Sequence, residues 1–153
     1  MLIVFDLDLT LTDVNGGNRI LEAWHSSKNF HDIKKMLKDL KRKQHKLGII
    51  TRGVRNEVID FLDNVNLLKY FEIILGADSL EENEEETDEY WGEKKRDLLH
   101  ALKESFNVKD NEMVFLDDMK YNIAPCKAAG FNVIHIEPNG SKKTIELLYR
   151  YLR

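Results

Sequence analysis

Five short apolar runs recur along the chain, and polar residues separate them. They are LIVF at 2–5, LGII at 47–50, EIIL at 72–75, MVFL at 113–116 and NVIHI at 132–136. Continuous apolar runs rich in β-branched residues are typical of strands buried on both faces, as in parallel sheets covered by helices. The pattern therefore predicts five parallel strands.

The stretches between these runs have helical periodicity. Ile33, Met36, Leu37 and Leu40 have the spacing of one buried helix face, which predicts a helix over 31–45. Four further helices are predicted: one on Val54, Val58, Phe61 and Leu62; one on Leu98, Leu99, Leu102 and Phe106; one through Ile123, Ala124 and Lys127 that ends at Gly130; and one on Ile145, Leu148 and Leu152 with Ser141 as its N-cap.

Strands that alternate with helices indicate right-handed crossovers and an α/β fold. We predict a three-layer α/β/α architecture around a doubly wound, five-stranded parallel sheet, in a single domain over residues 1–153. Two segments fit no element, 13–30 and an acidic loop at about 76–93. Irregular segments of that length are often functional in compact domains.

Charge is distributed unevenly along the chain. The net charge is −4, but residues 81–93 alone hold eight acids and no base, so the remainder carries a net charge of +4. An overall acidic chain without a nucleic-acid-binding motif is not expected to be a general nucleic-acid binder. Away from the acidic loop, the basic surplus suits a protein that attracts anionic ligands.

Other classes of protein are disfavoured by what the sequence lacks. Cys126 is the single cysteine, so neither an internal disulfide nor a thiolate zinc site can form, and the five histidines have no ligand spacing. No run of 18 apolar residues and no signal-peptide pattern occurs, so we expect no membrane span and a cytoplasmic location.

Candidate chemistry lies immediately after the predicted strands. Asp6 and Asp8 follow the first strand, Thr51 follows the second, and Asp117 and Asp118 follow the fourth. In an open parallel sheet, ligands bind outside the carboxyl ends of the strands, so these side chains are expected to meet at one edge. Asp6 and Asp8 are two residues apart and face the same way if strand geometry continues through them.

Clustered carboxylates with oxygen donors alone favour a hard cation such as Mg²⁺. Lys94 and Lys95 open the helix before the fourth strand and supply a compensating ammonium. Beside a bound phosphate, one acid can attack phosphorus as a carboxylate nucleophile, and a second can protonate the leaving oxygen. The constellation therefore predicts a site for a metal ion and a phosphoryl group.

These residues also resemble a known family. FDLDLT at 5–10, the apolar run closed by Thr51, the lysine at 94–95 and VFLDD at 114–118 are similar, in order, to the four motifs of the haloacid dehalogenase superfamily. The segment DDMKYNIAPCKAAGFNVIHI, from Asp117 to Ile136, resembles the small magnesium-dependent phosphatases of that superfamily, which have no large cap domain.

The resemblance implies a phosphatase with a defined division of roles. Asp6 would be the nucleophile that forms an aspartyl-phosphate, and Asp8 the general acid/base with its backbone carbonyl on the metal. Thr51 would bind phosphoryl oxygens. Lys94 is our choice for the motif lysine, because Gly92-Glu93-Lys94 matches the related pattern better than the alternative, Lys95.

The metal set implied by the resemblance consists of acidic residues alone. The expected Mg²⁺ ligands are Asp6, Asp8 and Asp117, with Asp118 nearby or binding through water. Strand one would lie centrally, between strands two and four, so that the ligands can meet.

Substrate selection is expected from residues around this centre. Segment 13–30 would be a short flap over the site, with Asp13 and Arg19 as candidate substrate contacts, and Arg52 could bind a second anionic group. An open site without a large cap admits phosphorylated small molecules or phosphoproteins.

Two alternatives from other functional classes stay open. Receiver domains of response regulators also phosphorylate an aspartate beside Mg²⁺, but they carry their acid pair after strand one, whereas Asp117 and Asp118 come late in this chain. The other alternative is a superfamily scaffold that acts as a regulatory or binding protein with weak activity.

Overall fold

A computed structural model describes residues 1–15, 24–79 and 86–153 of the chain. Its sheet is five-stranded and all-parallel, in the order β3-β2-β1-β4-β5. The strands are β1 Leu2–Phe5, β2 Lys46–Ile50, β3 Ile73–Leu75, β4 Met113–Asp117 and β5 Val133–His135. The predicted α/β class, the five strands and the central position of strand one are confirmed.

Within the described ranges, five α-helices connect and follow these strands. They are α1 Lys28–Arg42, α2 Arg55–Asn64, α3 Asp88–Phe106, α4 Lys120–Ala128 and α5 Ser141–Leu152. None of the helices in the described part of the chain is long and apolar enough to cross a membrane. Within the same ranges, no insertion large enough to form a cap domain separates the elements.

Alternation along β1 shows how the three layers form. Ile3 and Phe5 pack into one apolar cluster with α1, α2 and α5, whereas Leu2 and Val4 pack into a second cluster with α3 and α4. A strand buried on both faces has no polar side, which explains its continuous apolar sequence.

Two helix starts differ from the sequence predictions for local reasons. Helix α1 begins at Lys28 because the hydroxyl of Ser27 accepts a hydrogen bond from Phe30 N. Helix α3 begins at Asp88, since Thr87 accepts from Tyr90 N. Residues 88–93, which we assigned to the acidic loop, are therefore helical, and acids in a first turn are stabilised by the helix dipole.

The N-terminus of α5 corrects a third expectation. Gly140, not Ser141, is the N-cap residue, and its φ of 114° lies in the region that favours glycine. The side-chain acceptor comes from far away in the chain, because Asp13 Oδ1 accepts from the backbone N of Ser141 at 2.7 Å.

Candidate active site

The carboxyl edge of the central strands is where the acidic residues meet. Asp6 follows β1 and Asp117 ends β4, and these strands are neighbours in the sheet. The backbone N of Asp6 donates to Leu116 O at 2.9 Å, which fixes the start of the loop. Carboxylate oxygens of Asp6, Asp117 and Asp118 lie within 4.8 Å of one another.

A cavity of about 340 Å³ opens over this edge. Its lining includes four of the predicted site residues with acid or hydroxyl side chains, Asp6, Asp8, Asp118 and Thr51. Asp8 reaches the cavity although β1 ends at Phe5, because residues 7–11 form an irregular turn rather than a continued strand. Asp8 therefore faces the cavity because of this turn, and not because strand geometry continues through it.

Lys95 is the buried cation of the site. Its ammonium donates to Asp6 Oδ1 at 2.9 Å and to Asp117 Oδ2 at 2.7 Å, and its side chain is 1% exposed. Burial alone would lower the pKa of Lys95, but the two carboxylates outweigh it and raise that pKa above its ordinary value. Lys95 is therefore a fixed positive charge.

Our choice of Lys94 as the site lysine is corrected by this geometry. Lys94 points away from the acids, with its ammonium 5.4 Å from the centre of the Tyr90 ring. Lys95 shares a helix face with Leu99 and Leu102, which lie four and seven positions further on and are both buried. This spacing could have identified Lys95 as the inward-facing lysine from the sequence alone.

Asp117 and Asp118 have different surroundings. Asp117 is fully buried, and its oxygens already accept from Lys95, from Met119 N at 2.9 Å and from Asn122 Nδ2 at 3.1 Å. Asp118 lines the cavity instead, and its carbonyl oxygen lies 3.0 Å from His135 Nε2. Asp118 is thus the member of the pair that faces the cavity.

Three carboxyl groups of the site, those of Asp6, Asp8 and Asp118, have raised pKa values. Burial, followed by the neighbouring charge of Asp117, raises the pKa of Asp6 well above its ordinary value despite the opposing effect of Lys95. Burial also raises the pKa values of Asp8 and Asp118. One ammonium among these acids leaves excess negative charge, which a bound cation would offset.

Asn122 is a site residue that the sequence analysis missed. It is 2% exposed and lines the cavity, and its Oδ1 has no hydrogen-bond partner among the described residues. A buried amide oxygen without a donor is costly unless something else binds it. Together with oxygen-only carboxylate donors, this acceptor fits a hard cation or its water shell. Asn122 lies in the first turn of α4, four residues after Asp118, and this spacing could have indicated it from the sequence.

Thr51 and Arg52 form another wall of the cavity. Thr51 Oγ1 accepts from Gly53 N at 3.1 Å, so its hydroxyl proton is free to be donated to a ligand. Arg52 Nη1 lies 3.2 Å from Asp88 Oδ1 and 3.2 Å from Tyr121 Oη, and its guanidinium lies 5.4 Å from the Trp91 ring centre. These contacts hold Arg52 at the cavity rim.

Asp13, a further substrate candidate, does not line this cavity. Both oxygens of Asp13 are engaged elsewhere, Oδ1 by Ser141 and Oδ2 by Asn29 Nδ2 at 2.9 Å, so Asp13 caps the N-terminus of α5 in this structure. Arg19 lies outside the described residues. Asn15, at the start of the predicted flap, does line the cavity.

A larger cavity elsewhere lacks this chemistry. It has a volume of about 850 Å³ and lies between α1 and α5, with lysine, arginine and aspartate side chains in its wall. Asp39 in its wall is paired with Arg42 and Lys43. Burial raises the pKa of the Cys126 thiol to about 12, which disfavours the thiolate that a nucleophilic cysteine needs.

Comparison with known proteins shows a match to one protein family. A family model described as haloacid dehalogenase-like hydrolase matches residues 17–136. No curated protein sequence matches the chain.

Solved structures share the fold over nearly the whole chain. A haloacid dehalogenase-like family hydrolase from Streptococcus pneumoniae is 15% identical, with a TM-score of 0.64 over 99% of this chain and 98% of that one. The N-terminal part of a Bacteroides fragilis protein, which contains a phosphatase domain and is complexed with Mg, is 18% identical, with a TM-score of 0.73 over 97% of this chain and 39% of that one. A predicted phosphoglycolate phosphatase from Haemophilus somnus is 15% identical, with a TM-score of 0.62 over 91% of this chain and 86% of that one.

Proposed function

The chain belongs to the haloacid dehalogenase-like hydrolase family, and from that premise we propose that it is a Mg²⁺-dependent phosphomonoesterase that works through Asp6. The observation that carries this proposal is the hydrogen bond from Lys95 to Asp6 Oδ1 at 2.9 Å, inside a cavity that Asp8, Thr51 and Asp118 also line. A nucleophile, a proton donor and phosphoryl-binding groups thus share one cavity.

Asp6, Asp118 and the backbone carbonyl of Asp8 would hold Mg²⁺, with Asp117 behind them. The resemblance favoured Asp117 as the direct ligand. The hydrogen bonds that Asp117 accepts favour Asp118 instead, as does the cavity lining, which includes Asp118 but not Asp117. Bound Mg²⁺ would offset the charge of these carboxylates and of the phosphoryl oxygens. Its hard-acid preference agrees with the oxygen-only donor set.

The phosphoryl group would be bound by a cation and a hydroxyl. Lys95 keeps its proton at neutral pH, since the raised pKa favours the ammonium. The Thr51 hydroxyl accepts from Gly53 N and lines the cavity, where it would donate its own proton to a phosphoryl oxygen. Such preorganised donors stabilise charge on a transferring phosphoryl group.

The reaction would proceed in two displacements. An Asp6 carboxylate oxygen attacks phosphorus, and the bond from phosphorus to the ester oxygen breaks as Asp8 gives its proton to that oxygen. Water then attacks the phosphorus of the aspartyl-phosphate, Asp8 takes a proton from the water, and phosphate leaves with Asp6 regenerated. Burial raises the pKa of Asp8, which supports the protonated form required for the first displacement.

Arg52 would contact the rest of the substrate. It lines the same cavity, and its contacts with Asp88 and Tyr121 hold its guanidinium at the rim. Asn15 lines the cavity as well, which supports a substrate-facing role for the start of the predicted flap at 13–30, of which residues 16–23 lie outside the described residues. A phosphorylated small molecule or phosphoprotein in the cytoplasm stays the predicted substrate.

Hydrolysis of 4-nitrophenyl phosphate tests the proposal. We expect turnover with Mg²⁺, loss of turnover in excess chelator, and at least about a hundredfold loss in Asp6→Asn and Asp8→Asn. Asp60→Asn, which replaces an exposed acid on α2, is the matched control and keeps full activity. Undiminished turnover in Asp6→Asn would exclude the covalent route, and no turnover with any phosphomonoester would favour the regulatory scaffold.

A further inference from the structure

The loop that carries Asp8 is fastened to the N-terminus of helix α5. The irregular turn Leu7–Leu11 follows β1, and α5 begins about 130 residues later in the chain. Both the turn and the first residues of α5 lie outside the segment 17–136 that matches the family model. The fastening thus joins two segments that are far apart in the chain.

Three residues at the start of α5 supply the hydrogen bonds. Gly140 N donates to Leu9 O at 2.7 Å, and Thr144 Oγ1 donates to Thr10 O at 2.7 Å. Ser141 donates to Asp13 Oδ1 twice, from its backbone N at 2.7 Å and from its hydroxyl at 2.8 Å. The loop is thus held at three successive points beyond Asp8.

Burial makes these bonds decisive for the position of the loop. The side chains of Ser141 and Thr144 are both 0% exposed, so water cannot replace either hydroxyl. Leu9 has a φ of 58°, a left-handed conformation that is unfavourable for leucine. A backbone held in such a conformation persists where its surroundings fix it, and Leu9 O and Leu9 N are each hydrogen-bonded, the latter to Thr12 Oγ1 at 3.3 Å.

We propose that Thr144 and Ser141 are positioning residues that hold Asp8 in place for proton transfer. The inference rests on the proposed function, because it assumes that Asp8 protonates the leaving oxygen. Neither hydroxyl touches the cavity, so each acts through the loop. The Thr144 hydroxyl fixes the carbonyl two residues after Asp8, and the Ser141 hydroxyl fixes the side chain of Asp13.

The dependence of the rate on the leaving group distinguishes a positioning role from a purely structural one. An alkoxide leaves from phosphorus only with a proton, whereas 4-nitrophenolate is a stable anion and leaves without one. Displacing Asp8 therefore slows the hydrolysis of alkyl phosphates more than that of aryl phosphates. Simple loss of folded enzyme lowers both by the same factor.

The experiment compares kcat/KM for glycerol 2-phosphate and for 4-nitrophenyl phosphate in Thr144→Val and Thr144→Ser. In Thr144→Val, which keeps the side-chain shape but loses the hydroxyl, we expect at least about a tenfold loss with the alkyl ester and less than about threefold with the aryl ester. Thr144→Ser keeps the donor and should restore the wild-type ratio. Tyr149→Phe is the matched control, since it removes a hydroxyl that α5 directs at Asp39, 3.1 Å away.

Equal losses with both esters in folded Thr144→Val would overturn the inference. If Thr144→Val does not fold, as judged by circular dichroism, Ser141→Ala decides the matter, because it removes one of the two bonds to Asp13 and leaves the backbone bond in place. An unchanged ratio in Ser141→Ala would then contradict the inference. Failure of the wild type to hydrolyse either ester would instead contradict the proposed function.

Discussion

The ammonium of Lys95 donates hydrogen bonds both to Asp6, which lies 89 positions earlier in the chain, and to the buried Asp117, which lies 22 positions later. Both carboxylates would otherwise be buried charges of the same sign on adjacent strands. One ammonium offsets one of them, and Asp118 adds a further carboxylate within 4.8 Å. The site is therefore built around an excess of negative charge, which determines how it responds to mutation, metal and pH.

Replacing Lys95 should abolish activity, whereas replacing its neighbour should not. Lys95→Met leaves Asp6 and Asp117 without their cation, so we expect at least about a hundredfold loss of kcat/KM and a loss of stability of about 3–5 kcal/mol. Lys94→Met is the control, since Lys94 lies over the Tyr90 ring, and it should keep activity within about twofold. Rates of 4-nitrophenyl phosphate hydrolysis, normalised to the amount of folded enzyme, compare the two variants. A larger loss in Lys94→Met than in Lys95→Met would identify Lys94 as the site lysine.

Mg²⁺ should stabilise the protein through Asp118. A ligand that binds the folded state alone adds about 2.7 kcal/mol when present at a hundred times its Kd. We therefore expect the Tm to rise when Mg²⁺ is added to chelator-treated protein, and Asp118→Asn to remove most of that rise. Asp60→Asn should respond like wild type. A full Mg²⁺ response in Asp118→Asn would assign the direct ligand to Asp117 instead.

Without metal, the protein should lose stability as pH rises. Burial and the charge of Asp117 raise the pKa of Asp6 above its ordinary value of 3.8, so the folded state binds this proton more tightly than the unfolded chain. The stability that Asp6 contributes is fully present below the unfolded pKa and is lost as pH rises through the raised folded pKa.

Asp6→Asn removes this titration. In chelator, its free energy of unfolding should exceed that of wild type by about 1–3 kcal/mol at neutral pH and by less near pH 4. Denaturant unfolding of both proteins at several pH values measures the difference. A difference that shrinks with rising pH would mean that the folded pKa of Asp6 is lowered.

Gly92 sets the distance between α3 and α4 and thereby the place of Lys95. A Cβ at this position would overlap the backbone oxygen of Tyr121, and Pro125 Cγ would lie 3.1 Å away. Gly92→Ala should force the helices apart, with a loss of about 1–3 kcal/mol or more and reduced activity. Glu93→Ala, at an exposed position one residue further on, should change neither. Thermal unfolding and turnover test both, and a Gly92→Ala protein as stable as wild type would refute the close packing.

Local patterns accounted for the fold because burial on both sheet faces leaves a direct signature. Each predicted strand overlaps an observed one, and the acids lie after β1 and at the end of β4 as the topology rule required. The helix starts were harder to predict from the sequence. The first turns of α3 are acidic and have no apolar stripe until Trp91, so only the Thr87 cap marked where the helix begins.

Long-range contacts explain what sequence reasoning did not find. Asp13 looked like a substrate contact because it follows the nucleophile loop, but it caps α5, 128 positions away, and no local pattern encodes that pairing. Lys95 could have been predicted from the sequence, since it lies on the same helix face as Leu99 and Leu102. Asn122 could have been predicted from its position four residues after Asp118. The catalytic roles of these residues remain predictions for experiment.

The most direct test of the account is the chemical identity of the phosphorylated residue. Enzyme mixed with Mg²⁺ and 4-nitrophenyl phosphate is quenched with borohydride, which reduces an aspartyl-phosphate to homoserine, and peptides are then sequenced by mass spectrometry. We predict homoserine at position 6, dependent on Mg²⁺ and absent from Asp6→Asn. Homoserine at another acid, or full turnover by Asp6→Asn, would contradict the central claim.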